Sequence, residues 1–274
     1  MSVPPPDGAS GLLADVAFGA DPGRWPLPAA RGPEELWLRA VGAGGQGRYA
    51  AARADLALLM RAEPDGRWRS LALSTHASFL RQLGWHWSSH DVDGRAWAAS
   101  AGDPQAGVDA LSGLAADALG VGRLTASAAL LARAERVACE LSGGGVPDRQ
   151  SVRLAWVHAE LAMAGGDGAA ALRHARRSVE LAANTPSVPR RHRIKSNVVL
   201  AAALCCAGDL AGSRAVADAA LEDTETYGLV PLRWALACLL SGIGSEAHSP
   251  AAIKEVRDLS AQVVARRGGH WKMR

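Results

Sequence analysis

Five glycines, Gly47, Gly84, Gly122, Gly166 and Gly208, recur at intervals of 37, 38, 44 and 42 residues, each in the same company of small side chains. Seven residues before them stand Ala40, Ala77, Ala115, Ala159 and Ala201, and five after them Ala52, Ser89, Ser127, Ala171 and Ser213. Twelve after come Leu59, Ala96, Ala134, Ser178 and Ala220. Glycine tolerates positive φ and can end a helix abruptly. Small side chains at fixed offsets on either side let the flanking helices approach closely. The chain therefore reads as a series of helical hairpins, each stacked on the next.

The apolar 49% of the chain is carried largely by Ala and Leu, with few β-branched runs, which favours helix over strand. One unit, Gln46 to Pro64 (QGRYAAARADLALLMRAEP), shows the glycine break followed by an apolar-striped helix that runs to a proline. Here the chain resembles the tetratricopeptide repeat, over residues 33–267. The units exceed that family's usual length of about 34 residues. The resemblance implies an all-α, right-handed superhelical solenoid of antiparallel helix pairs: about five repeats plus a C-terminal capping hairpin, Leu229–Leu240 and Pro250–Arg267, joined by GIGSEAHS. Lys254, Glu255, Arg257, Asp258 and Gln262 would give the cap its polar face. Asp93 stands where the family buries a large apolar residue, and Gly168 where the first unit has Tyr49, so the second and fourth units are expected to be the looser ones.

Residues 1–32 carry Pro4, Pro5, Pro6, Pro22, Pro26 and Pro28, with Pro33 following, and read as a flexible Pro/Gly-rich leader. Within it Leu12–Phe18 and Trp25–Pro28 are apolar enough to dock, with free disorder as the alternative. Residues 268–274 read as a tail.

In a tetratricopeptide stack the first helix of each pair lines a concave groove. The resemblance places there Trp37, Val41, Ser74, Ser78, Arg81, Ser112, Ala116, Arg153, Trp156, Glu160, Met163, Lys195, Val198 and Ala202. Trp, Met and Arg are the residues that binding surfaces favour. The competing reading is that Trp37 and Trp156 only pack between helices. Family members that grip a C-terminal carboxylate use Lys and Asn in this groove, whereas the matching places here hold Leu38, Thr75 and Gly113.

The formal charge of +3 is small, but its distribution is uneven. Nine Arg or Lys stand against three acids between Arg149 and Lys195, and five acids against Arg214 between Asp209 and Glu225. Arg173, Arg176, Arg177, Arg190, Arg191 and Arg193 form a candidate basic patch for an acidic protein segment or a phosphate backbone. The same stretch lacks the interleaved aromatics that single-strand stacking needs.

Motifs that resemble chemistry fail on context. Gly42, Gly44 and Gly47 spell GxGxxG, but no strand precedes them, and a helix-ending glycine cluster is preferred. LSGGG, Leu141–Gly145, lacks an accompanying phosphate loop. His86 and His90, with Asp91 or Asp93, have only a weak metal-ligand pattern, and a polar contact between helices beside Trp85 and Trp87 is preferred. Cys139, Cys205, Cys206 and Cys238 have no CxxC spacing and are expected to be reduced, buried thiols. No catalytic or cofactor constellation emerges.

The N-terminus lacks a secretory pattern, no apolar run approaches a membrane span, and the Gly/Ala/Arg-rich style suggests a high-GC bacterial coding sequence, so a cytoplasmic protein is expected. Two functional readings follow. One is a non-enzymatic adaptor or regulatory scaffold that binds a partner peptide or helix in the groove, with homo-oligomerisation through end helices open. The other is a ligand-sensing or nucleic-acid-associated transcriptional regulatory component using the Arg149–Lys195 region.

Overall fold

A computed structural model describes residues 8–140, 148–185 and 188–272. The Leu141–Gly145 run, the first seven residues and the last two lie outside the described residues. Among those described, thirteen helices and no strands are present. After α1 (Gly8–Phe18) they form six antiparallel pairs: α2 (Pro33–Gly45) with α3 (Tyr49–Ala62), α4 (Gly66–Gln82) with α5 (His86–Ala99), α6 (Pro104–Gly120) with α7 (Leu124–Glu140), α8 (Asp148–Ala164) with α9 (Gly168–Asn184), α10 (Arg190–Cys206) with α11 (Leu210–Thr226), and α12 (Val230–Ile243) with α13 (Pro250–Arg266). No helix among the described residues is long and apolar enough to cross a membrane.

The glycine code holds in detail. Gly47, Gly84, Gly122, Gly166 and Gly208 all adopt positive φ, between 73° and 90°. In the fourth and fifth pairs the next residue starts the following helix, because the carboxylates of Asp167 and Asp209 accept from the backbone N–H groups of Ala170 and Gly212 at 2.9 Å. Glycine supplies the reversal, and aspartate satisfies a donor that the new helix leaves unpaired. All fifteen small-residue and repeat positions read from the sequence are at most 1% exposed. Gly42 and Gly44 sit inside α2, where an added Cβ would lie 2.7 Å from Val16 and 2.2 Å from Phe79. They are close-packing glycines.

The two departures from the repeat both sit at close contacts. Asp93 is fully buried and ion-paired with Arg81 at 2.9 Å. A Cβ on Gly168 would lie 2.8 Å from the Ala207 backbone, so this glycine allows α9 to approach the end of α10.

First helices stack on first helices: α2 on α4, α4 on α6, α6 on α8, α8 on α10 and α10 on α12. No such firm contact joins one second helix to the next second helix. The inner layer is therefore tight and the outer layer splayed, and six pairs bend far enough for the chain to meet itself. The Ala50 N–H donates to the Arg267 carbonyl at 2.9 Å, Arg267 Nη1 to the Gln46 carbonyl at 2.7 Å, and the Lys272 N–H to the Leu83 carbonyl at 2.9 Å. Val264 and Trp271 share a core with Trp37, Tyr49 and Phe79. The last pair carries a polar face at Lys254, Arg257 and Asp258, as a cap would, yet it also seats on the first pair.

The leader departs from expectation. Its apolar segment folds as α1 and buries Leu13, Val16 and Ala17 against α2. The residues after α1 run across the seam of the closed stack. Gln46 Nε2 donates to the carbonyls of Pro22 and Arg24, and the Arg190 N–H donates to Gly19. The proline density rules out a continuous helix but not an eleven-residue one that has apolar surface to cover. The thiols also differ from expectation: Cys139 and Cys206 are exposed, Cys205 and Cys238 half-buried, and none is in a disulfide.

Close inner packing makes a direct prediction. Ala159→Leu, which adds a branched side chain at a fully buried inner position, should destabilise the fold by roughly 1–3 kcal/mol, read as a lower urea midpoint. The same change at exposed Ala132 should leave it within about 0.5 kcal/mol.

Candidate functional site

Closure turns the expected open groove into an interior. Twelve positions assigned to the groove, Trp37, Val41, Ser74, Ser78, Arg81, Ser112, Arg153, Trp156, Glu160, Met163, Lys195 and Val198, all line one cavity of about 560 Å³, together with Ala116 and Ala202. Every first helix contributes, and the two chain ends add Phe18 and Trp271. The groove tryptophans pack between helices and also line the cavity. Trp37 Nε1 donates to Thr75 Oγ1 at 3.0 Å and Trp156 Nε1 to Ser196 Oγ at 2.9 Å, so each ties its pair to the next while its ring forms cavity wall.

Charge is concentrated on this wall in three groups. In the first, Arg81 on α4 bridges Asp93 and Asp117, at 2.9 and 2.5 Å. Burial, opposed by Arg81 and reinforced by Asp117, pushes the Asp93 carboxyl well above the usual carboxylate range. Asp93 Oδ1 and Asp117 Oδ2 have no hydrogen-bond partner among the described residues. Ser89 Oγ also donates to Asp117.

In the second group, Arg149 and Arg153, one turn apart on α8, both bind the Asp109 carboxylate, at 2.5 and 3.0 Å. Arg191 reaches in from α10 and touches the Val41 carbonyl at 3.3 Å. Burial and the nearby Arg153 and Arg149 lower its pKa to about 10.

The third group surrounds Trp156. Lys195 Nζ lies 4.5 Å from that ring and 3.8 Å from Glu160, and the His192 ring stacks on it at 5.1 Å. Burial, then the neighbouring Arg191, Arg149 and Arg153, hold His192 well below the ordinary histidine pKa of 6.5.

The six arginines read as one basic patch are not one surface. Arg173, Arg176 and Arg177 are exposed on α9, with Arg177 paired to Glu180. Arg190 lies over the Tyr227 ring at 5.0 Å, and Arg193 donates to the carbonyls of Val188 and Thr185. Only Arg191 of the six enters the cavity. His86 is in the wall and His90 is not. Among the described residues no group of three or more His, Cys, Asp or Glu stands where it could hold a metal ion. A smaller cavity of about 270 Å³ beside Trp25 contains Arg39 and Asp55, which pair with each other.

Sequence reasoning missed Arg149, Arg191 and His192 as cavity groups. The first two carried a usable signal: Arg149 precedes Arg153, and Arg191 precedes Lys195, by one helical turn on stripes already assigned to the groove. Compared with known proteins, the chain matches no family model, no curated protein and no solved structure.

Two predictions concern the wall. Arg81→Met should cost about 3–5 kcal/mol, because it leaves Asp117 buried and uncompensated. Asp93→Asn, which keeps a neutral donor without needing a proton, should cost less than about 1 kcal/mol at pH 7.5; both are measurable by urea denaturation. His192 binds its proton more weakly folded than unfolded, so its contribution to stability is complete above pH 6.5 and is lost as the pH falls below that value. Asp93, whose pKa is raised by folding, acts in the opposite sense. In an Asp93→Asn background the melting temperature should therefore fall between pH 7.5 and 5.5, and His192→Asn should flatten that fall.

Proposed function

We propose that this chain is a non-enzymatic ligand-sensing protein that holds a small organic molecule inside a right-handed, tetratricopeptide-like stack. The observation that carries the reading is the cavity itself. At about 560 Å³ it lies within the range of roughly 300–1,000 Å³ typical of small-molecule sites, and aromatic and aliphatic side chains are mixed with a few fixed charges on its wall. Trp37, Phe79, Trp156, Trp234 and Trp271 offer apolar contact, while Arg81, Arg153 and Lys195 give polar anchoring.

A partner helix in an open groove is the other reading the sequence allows. It is less well supported, because α1 and the C-terminal residues occupy the approaches such a helix would use, with Phe18 and Trp271 in the wall. Residues from all six first helices converge on one volume, which favours a compact ligand over an elongated one.

The test uses the neutral fluorescent dye N-phenyl-1-naphthylamine. The folded protein should bind one dye per chain. Ala202→Phe, which places a ring in the cavity, should weaken binding at least about tenfold while the far-ultraviolet circular dichroism stays unchanged. Absence of dye binding, or binding at several weak sites indifferent to Ala202→Phe, would overturn the reading.

A further inference from the structure

We propose that one end of the cavity is a site for a doubly charged anionic headgroup, a phosphate monoester or a dicarboxylate, held by Arg149, Arg153 and Arg191. The inference rests on the ligand-binding reading above and specifies what the ligand must carry.

Charge balance is the first argument. Arg149 and Arg153 share one carboxylate, Asp109, at 2.5 and 3.0 Å. Arg191 has no carboxylate within ion-pair distance among the described residues, and its hydrogen bond is to the neutral Val41 carbonyl at 3.3 Å. Three guanidinium groups thus face one acid. Beside them Lys195 pairs with Glu160, and Arg81 with both Asp117 and Asp93. Around Asp109 itself two positive charges remain over, in a partly buried cluster where an uncompensated ion is costly. A dianion restores neutrality, and planar guanidinium forks on two separate helices can each engage a pair of its oxygens.

Local geometry is the second argument. Arg191 reaches the cavity across α2 at Gly45, where an added Cβ would lie 2.8 Å from Arg191 Nη1. Beside it, His192 is 3% exposed and its Nδ1 has no hydrogen-bond partner. An arginine admitted past a glycine to join two others, next to an unpartnered imidazole nitrogen, is poor packing for a core and good preparation for an anion. Burial, and then the crowding by Arg153 and Arg149, lowers the Arg191 pKa to about 10 in the same arrangement. Trp156, on which His192 stacks, leads from this end into the apolar part of the wall, where the body of the ligand would lie.

The test compares phenyl phosphate and benzylmalonate, both dianions with an aromatic body, against the monoanion phenylacetate by isothermal titration at constant ionic strength and pH 7.5. At least one dianion should bind one per chain and at least about tenfold tighter than phenylacetate. Arg191→Gln should weaken that dianion by at least about tenfold more than it weakens N-phenyl-1-naphthylamine, and should not lower the melting temperature of the unliganded protein, since it removes a cation without a counter-ion. Arg153→Gln should weaken the dianion as well. If the dye binds but neither dianion exceeds phenylacetate, or if binding ignores Arg191→Gln, this inference is overturned and the cavity reading stands. If neither the dye nor any anion binds, both fall.

Discussion

Everything in this molecule depends on how closely its inner helices approach. Alanine and serine at the repeat positions are buried between the paired helices, and glycines such as Gly44, where a methyl group would collide with Phe79, leave room for each first helix to pack on the next. The second helices have no matching contact along the outside. A stack that is short on its inner edge and long on its outer edge must curve, and this one curves until Arg267 meets Gln46. Tight curvature, closure and cavity are thus consequences of one packing rule.

Closure also determines the electrostatics. On an open groove, the arginines of α8 and α10 would face bulk water and their charge would be inexpensive. Inside the closed stack they face each other across a space walled by tryptophan, and Asp93, Asp109, Asp117 and Glu160 become the groups that make such an interior tolerable. Asp93 shows how far this goes: a residue that looks like a flaw in the apolar pattern is the partner Arg81 needs. Arg191 shows the converse, a half-buried cation for which the described residues supply only a carbonyl.

The helix pairs and the inward-facing stripes were legible because both depend on local spacing: a glycine every unit, small residues at fixed offsets, and a helical period that puts Trp156, Glu160 and Met163 on one face. Closure was not legible, because it comes from a small rotation per pair summed over six pairs, and no single residue encodes the sum. The docking of α1 was obscured by the surrounding prolines, although Leu13 and Val16 had the apolar spacing of a buried face. From the sequence Arg191 reads, with Arg190 and Arg193, as part of one basic patch. Composition groups those arginines together, whereas helical phase sends Arg190, Arg191 and Arg193 in three directions.

An open solenoid can fray from either end and can gain or lose a unit by duplication or deletion, since each repeat answers only to its neighbours. This chain has given up both freedoms. Its first pair is held by α1, by the last pair and by the residues that follow it, so among the described residues both edges of the stack are covered. A seventh pair inserted anywhere would carry the ends past each other and undo the seam. Such a fold unfolds as a unit rather than repeat by repeat, and its number of repeats is set by geometry, as the number of blades is in a propeller.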